Sequence, residues 1–145
     1  MGVAVMEAER VLYSDCLRTS AKLPFTKRLG ILGKEIEKLL AKWHPQTMAL
    51  EEVFFAKNQK TAARVAEVRG MLLYIASRAN IKIFQFTPLQ IKVAIAGDGT
   101  ADKTRMTKMV TLLAKLKHTP KLDDEYDAIG IGLTACAHHI PSFPQ

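Results

Sequence analysis

The sequence predicts an α/β domain in which a mixed sheet is flanked by helices. Two short apolar stretches near the start, separated by the polar Glu7-Ala8-Glu9-Arg10, indicate a β-hairpin. Further along, apolar runs of strand length alternate with longer segments whose apolar residues recur at helical spacing. A chain of 145 residues that is 48% hydrophobic is long enough to bury one substantial core.

Proline and glycine mark where the predicted elements begin and end. Pro24 opens the first long helix, which ends before Pro45, and Thr87-Pro88 starts a shorter helix that ends at Gly97-Asp98-Gly99. Strands are expected at 3–6, 11–16, 48–53 and 81–86, and helices at 24–44, 58–80, 87–97, 103–116 and 123–137. We expect residues 1–139 to form a single domain and the proline-rich residues 140–145 to form a flexible tail.

The net charge of +7 suggests a polyanionic partner such as nucleic acid. An excess of lysine also aids solubility, so the charge alone leaves both explanations open. No apolar run approaches the roughly 18 residues that a membrane span needs, and the first residues do not form a signal peptide. Cys16 and Cys136 have neither CxxC spacing nor a second pair, so we expect buried thiols in a reducing cytoplasm.

Three carboxylates form the candidate chemical site. Glu51 lies near the C-terminal end of a predicted buried strand, where open α/β sheets place their ligands, and its neighbour Glu52 points to the opposite face. Asp124 and Asp127 are three positions apart on the last helix and therefore share a face. Such carboxylates repel each other unless a divalent cation lies between them, and metal-dependent phosphodiester hydrolysis uses cations held in this way. Ordinary roles stay open, since Glu51 can be a strand-end surface residue and the aspartates can cap the helix.

Several ordered motifs match one known family at compatible spacing. They are Cys16-Leu17-Arg18-Thr19-Ser20, Glu51-Glu52-Val53-Phe54-Phe55-Ala56-Lys57-Asn58, Glu67-Val68-Arg69-Gly70, Pro88-Leu89-Gln90-Ile91-Lys92, Gly97-Asp98-Gly99-Thr100-Ala101-Asp102-Lys103 and Asp124-Glu125-Tyr126-Asp127-Ala128. On these motifs the chain resembles the bacterial Holliday junction resolvases of the RuvC family, which are RNase H-like endonucleases of the retroviral-integrase superfamily. The similarity covers roughly residues 2–138.

The resemblance implies a homodimer that binds four-way DNA junctions and nicks two strands symmetrically in recombination and repair. It implies Mg²⁺ as the cofactor, with two ions per active site and Mn²⁺ able to substitute. It also implies a branch-migration helicase complex of the RuvA and RuvB type as a partner. By the same resemblance, residues 62–74 form the helix that pairs across the dimer.

The resemblance also assigns roles to individual residues. Glu51, Asp124 and Asp127 match the metal-binding catalytic carboxylates of the family. Lys92 and Lys103 match basic residues near the scissile phosphates. The full set of expected DNA-binding residues is Phe54, Lys57, Arg69, Lys92 and Lys103, with Phe54 as the aromatic that probes the junction. The ordinary alternatives are a core position for Phe54 and an exposed helix start for Lys103.

The resemblance breaks at the start of the chain. Family members open with a strand that ends in Ile-Asp-Pro-Gly and whose Asp completes the metal site, whereas Met1-Gly2-Val3-Ala4-Val5 resembles the family's second strand. We therefore expect the first, central strand to be missing, through a fragment or a misplaced start codon, and the chain as written to be catalytically impaired. The alternative function is a junction- or DNA-binding protein without nuclease activity.

Overall fold

The computed structural model describes residues 1–52, 59–116, 120 and 122–139, and within them strands and helices follow the predicted order. The strands are β1 (Gly2–Glu7), β2 (Arg10–Cys16), β3 (Thr47–Glu51) and β4 (Lys82–Phe86). The helices are α1 (Phe25–Trp43), α2 (Gln59–Arg78), α3 (Pro88–Ala96), α4 (Lys103–Leu113) and α5 (Asp123–His139). The predicted α/β class is therefore confirmed. No helix among the described residues is long and apolar enough to cross a membrane.

The chain divides into two compact units. The first contains residues 1–16, 49–52 and the described part of 85–145, and the second contains residues 17–48 and the described part of 53–84. The prediction that residues 1–139 form a single domain stays a prediction. The expected tail at 140–145 lies outside the described residues.

The described strands pair as two two-stranded sheets, one formed by β1 and β2 and the other by β3 and β4. This differs from the single mixed sheet that the sequence predicts, because alternation along the chain does not specify which strands share hydrogen bonds. In the second sheet, the amide of Lys82 donates to the carbonyl of Gln46 at 3.2 Å, and the amide of Glu52 donates to the carbonyl of Phe86 at 2.8 Å. The residue numbers increase in the same direction on both strands from the first bond to the second, so β3 and β4 run parallel. Helix α2 lies between them in the chain as the crossover helix.

The hairpin of the first unit is antiparallel, from the Gly2–Cys16 pair to the Glu7–Arg10 pair, with an irregularity between Val5 and Met6. Helix α5 packs on this hairpin closely enough that a Cβ at Gly132 would lie 2.4 Å from the sulfur of Met6. The core of the unit lies under α5, and the largest fully buried side chains among the described residues are Ile129, Val110 and Thr134.

The two cysteines also lie in the first unit. Cys16 and Cys136 are free thiols, as expected, but they are half-buried rather than buried. The thiol of Cys136 donates to the carbonyl oxygen of Ala8 in the hairpin turn at 2.8 Å.

The second unit is built on the pairing of α1 with α2. Gly33 lies on the buried side of α1, where an added Cβ would be 3.1 Å from the sulfur of Met71 and 3.7 Å from the Cδ1 of Ile75. Helix α1 ends at His44, whose positive φ of 45° lets its amide donate back to the carbonyl of Leu40. The helix therefore ends just before Pro45, as predicted.

Candidate active site

The candidate site lies in the first unit, where the end of β3 and the first turns of α5 supply the carboxylates. Glu51 is the last residue of β3, and the bond from the amide of Glu52 to the carbonyl of Phe86 fixes the strand end beside β4. Helix α5 begins at Asp123, so three acidic residues occupy its first turn and Asp127 follows one turn later. This arrangement favours helix formation, because negative charge at a helix N-terminus interacts favourably with the helix dipole.

Glu51 and Asp127 lie in one electrostatic neighbourhood. Partial burial raises the pKa of the Glu51 carboxyl above its ordinary value of 4.5, and the negative charge of Asp127 raises it further. The pKa of Asp127 is also raised, first by burial and then by Asp124 and Asp123, while the ammonium of Lys103 opposes the shift. Both side chains are exposed at the surface, but the protein removes enough water to disfavour their charged forms. The C-terminal end of β3 and the N-terminal turns of α5 therefore place Glu51 and Asp127, which the sequence predicted to be partners, within electrostatic reach of each other.

One lysine among the described residues, Lys103, lies beside this acidic group. The Nζ of Lys103, at the start of α4, lies 2.6 Å from an Oδ2 of Asp123. The hydrogen bond to Asp123 is the main reason that the pKa of Lys103 is raised, and the charges of Asp123, Asp127 and Asp124 add to it. Lys103 thus lies beside the carboxylates of α5.

The connection between α3 and α4 sets where Lys103 begins its helix. The carboxylate of Asp102 caps α4 by accepting the amide of Arg105 at 2.7 Å. The guanidinium of Arg105 reaches back across the connection, to an Oδ2 of Asp98 at 2.9 Å and to the carbonyl of Ala96 at 3.1 Å. The amide of Thr100 donates to the other oxygen of Asp98 at 2.9 Å, and its backbone hydrogen bond lowers the pKa of Asp98. The connection is therefore held at both ends by side chains.

Asp124 lies at the point where α5 meets the hairpin. Its Oδ2 is 3.5 Å from the α-amino nitrogen of Met1 and 3.8 Å from the sulfur of Cys16. A Cβ at Gly2 would lie 1.7 Å from the backbone carbonyl oxygen of Asp124, so β1 approaches the helix start as closely as only glycine allows. The position of Asp124 therefore depends on the packing of the hairpin.

Glu125 is the acidic residue whose environment sequence reasoning missed. Its side chain is only 7% exposed, and it accepts a hydrogen bond from the hydroxyl of Ser14 at 2.5 Å. The sequence contained a signal for this, because Glu125, Ile129 and Leu133 recur at the four-residue spacing of one helix face and are all buried. Glu125 therefore anchors α5 to β2.

The donor chemistry suits a divalent cation. Glu51, Asp124 and Asp127 supply hard carboxylate oxygens. The pKa of Glu51 and that of Asp127 are raised mainly by burial and further by neighbouring carboxylates, and a bound cation would offset both effects by favouring the charged forms. Among the described residues, no three histidine, cysteine or acidic side chains converge closely enough to form a ready ligand shell. Mg²⁺ tolerates this, since it commonly keeps several waters and binds proteins through one or two carboxylates. These residues therefore fit the metal in charge and chemistry.

Comparison with known proteins gives the family. The model of the family described as "Crossover junction endodeoxyribonuclease RuvC" matches residues 2–135. The chain belongs to the RuvC family.

Individual RuvC proteins agree over most of the chain. The RuvC of Halothermothrix orenii is 39% identical over 137 residues, which cover 92% of this chain and 83% of that protein. The RuvC of Roseiflexus sp. is 41% identical over 121 residues, covering 82% and 72%. The structure of Thermus thermophilus RuvC in complex with a Holliday junction substrate superposes with a TM-score of 0.85 at 31% identity, over 96% of this chain and 87% of that one. The predicted RNase H-like fold is thereby confirmed.

The residues predicted to contact DNA are distributed over the chain. Lys103 joins the acidic group, and Lys92 lies half-buried on α3 in the same unit. Arg69 lies half-buried on α2 in the second unit, on the helix expected to pair across a dimer. Phe54 and Lys57 lie outside the described residues. The structure therefore brings Lys103, and no other lysine or arginine of this predicted set among its described residues, into electrostatic contact with the carboxylates.

Proposed function

We propose that this RuvC-family chain is a structure-selective endodeoxyribonuclease that resolves Holliday junctions by symmetric, metal-dependent nicking in recombination and repair. One observation carries the proposal at the level of the site, namely that carboxylates from two separate elements interact. Burial raises the pKa of Glu51 on β3 and the charge of Asp127 on α5 raises it further, while Lys103 opposes the rise in the pKa of Asp127. Carboxylates that can hold a metal cation, next to a lysine that can contact a phosphate, match the needs of metal-dependent phosphodiester cleavage. The complex of the Thermus RuvC with a Holliday junction supports junction DNA as the substrate.

We assign separate roles to the carboxylates. Glu51 and Asp127 would ligate Mg²⁺ (two ions per site), and Asp124 would either ligate metal or orient the attacking water. When bound, the metal supplies activation of water and stabilisation of the leaving oxygen. The partial burial of Glu51 and Asp127 strengthens their hold on a cation, because fewer waters compete for and screen their charge.

Lys103 would contact the scissile phosphate from its position beside the acidic group. Its ammonium is exposed, and its position beside α5 lets it offset the repulsion between phosphate and carboxylates. Lys92 would support the same strand, while Arg69, Lys57 and the aromatic ring of Phe54 would contact DNA farther from the cut. We propose that the protein acts as a homodimer in the cytoplasm, together with a branch-migration helicase complex of the RuvA and RuvB type.

The test is a nicking assay on a mobile four-way junction and on a linear duplex with the same arm sequences, with a gel shift run in parallel. The proposed function predicts that Mg²⁺-dependent nicks, however slow, fall in the junction and not in the duplex. Asp127→Asn should retain binding and lose nicking. Junction-selective binding with no nicking by the wild-type chain would favour the alternative function of a binding protein without nuclease activity.

A further inference from the structure

Asp123 has no part in the catalysis proposed above, yet it makes a close contact with Lys103 at the site. Its Oδ2 lies 2.6 Å from the Nζ of Lys103, and the two side chains are 68% and 65% exposed. Ion pairs this exposed contribute little to folding, because water screens the attraction and two flexible side chains must be ordered. The contact therefore contributes little to the stability of the fold, and its main effect is to determine the position of the Lys103 ammonium.

The backbone of Lys103 is already fixed without Asp123. The carboxylate of Asp102 caps α4 by accepting the amide of Arg105 at 2.7 Å. The guanidinium of Arg105 donates to the carboxylate of Asp98 at 2.9 Å and to the carbonyl of Ala96 at 3.1 Å, and so ties α4 to the α3–α4 connection. What remains free is the four-carbon stem of Lys103, which samples many rotamers when it is exposed. Asp123 restricts that stem, because its carboxylate holds the ammonium on the side of α5 that also carries Asp124 and Asp127.

We propose that Asp123 is a positioning residue for Lys103: it holds the ammonium beside the catalytic carboxylates, ready to meet the scissile phosphate when the junction binds. The inference rests on the proposed function and adds to it a residue that acts only through another. Asp123 and Lys103 come from α5 and α4, so the contact exists only because these helices pack together. Reaction rates depend steeply on such placement, since an error of about 1 Å in a reacting group can cost about a hundredfold.

The main test compares nicking rates at saturating junction. Asp123→Asn should lower kcat about ten- to a hundredfold, with KM unchanged or lower, because a negative charge near the DNA has been removed. Asp123→Glu, which keeps the charge, should recover most of the rate. The matched control is Glu7→Gln, which removes a carboxylate from an equally short and exposed ion pair, with Arg10 at 2.6 Å, on the hairpin of the same unit. It should leave kcat unchanged.

A double-mutant cycle separates positioning from a general effect of charge or folding. In a Lys103→Met background, Asp123→Asn should cause no further loss of kcat, because the residue that it positions has gone. A loss as large as in the wild-type background would overturn the inference, and so would an unchanged kcat in the single Asp123→Asn variant.

An activity-independent measurement keeps the inference distinct from the proposed function. A wild-type chain that does not nick would refute the proposed function, and the side-chain ammonium NMR signals of the lysines would then decide the inference. We expect the Lys103 ammonium to be ordered in the wild type and mobile in Asp123→Asn. A Lys103 signal as mobile as that of Lys108, an exposed lysine on the same helix, would overturn it.

Discussion

Replacing Glu51 with glutamine should stabilise the metal-free protein. The pKa of Glu51 is raised by burial and by Asp127, so its charged form is disfavoured in the folded state at neutral pH. Glutamine keeps the shape and removes the charge. Because Glu51 is still partly exposed, solvent screens much of the repulsion, and we expect a gain of only about 0.5–1 kcal/mol in the free energy of unfolding. For a chain of this size that gain raises Tm by about 1–4 °C.

The same substitution should remove the response to metal. A cation held by Glu51 and Asp127 stabilises the wild type by about 1.4 kcal/mol when Mg²⁺ is present at about ten times its Kd. Thermal unfolding in EDTA and in Mg²⁺ measures both effects. Glu51→Gln should unfold at a higher temperature than the wild type in EDTA and gain little from Mg²⁺. The control is Glu52→Gln, which removes the neighbouring charge and should behave like the wild type in both buffers.

The stability gain of Glu51→Gln should depend on pH. A carboxyl whose pKa is raised on folding binds more protons in the folded state, so it favours folding at low pH and disfavours it as the pH rises. The advantage of Glu51→Gln should therefore be present at neutral pH and disappear below the ordinary pKa of 4.5. A variant that is less stable than the wild type in EDTA at neutral pH, or that keeps the full Mg²⁺ response, would refute the reasoning.

Three further predictions concern the surroundings of the site. Asp127→Asn should slow nicking by about a hundredfold or more without weakening the gel shift, and unchanged nicking would contradict its role. Gly2→Ala should lower the free energy of unfolding in urea by about 1–3 kcal/mol, because the added Cβ would lie 1.7 Å from the carbonyl oxygen of Asp124. The control Gly30→Ala, whose Cβ would meet nothing within 4 Å, should not destabilise the protein. Equal stability of the two variants would count against the close approach of β1 to α5. Arg105→Gln should lower the free energy of unfolding by less than about 1 kcal/mol, and high salt should abolish the difference from the wild type. A larger loss, or one that persists in high salt, would contradict the assignment of Arg105 and Asp98 to a weak, exposed ion pair.

The ends of the elements could be predicted from the sequence wherever local chemistry determines them. Helix α3 starts at a capping box, in which Thr87 and Gln90 each satisfy a backbone amide of the other, and ends at Gly97 with a φ of 68°. Both signals depend on neighbours within four positions of the chain. The pairing of the strands into two sheets was not predictable in this way, because it depends on contacts between distant segments.

The same distinction applies to the site. Glu51 and Asp127 could be predicted as partners because one lies near the end of a strand and the other lies at the edge of the buried face of a helix. The ion pair between Lys103 and Asp123 could not, since it requires the packing of α4 on α5. The burial of Glu125 against Ser14 likewise requires the hairpin to pack on α5. Family resemblance identified Lys103 as important, but only the structure supplied its neighbour.

The central claim is that Glu51 and Asp127 hold the divalent metal, and a titration of the isotope-labelled chain with Mn²⁺ tests it most directly. Bound Mn²⁺ broadens the NMR signals of nearby amides at much lower Mn²⁺ concentrations than those of distant amides. The account predicts that the amides of Glu51 and Asp127 broaden first, that excess Mg²⁺ reverses the effect, and that Asp127→Asn abolishes it. Broadening centred elsewhere, at Asp98 and Asp102 or at His138, with the signals of Glu51 and Asp127 unaffected, would contradict the account.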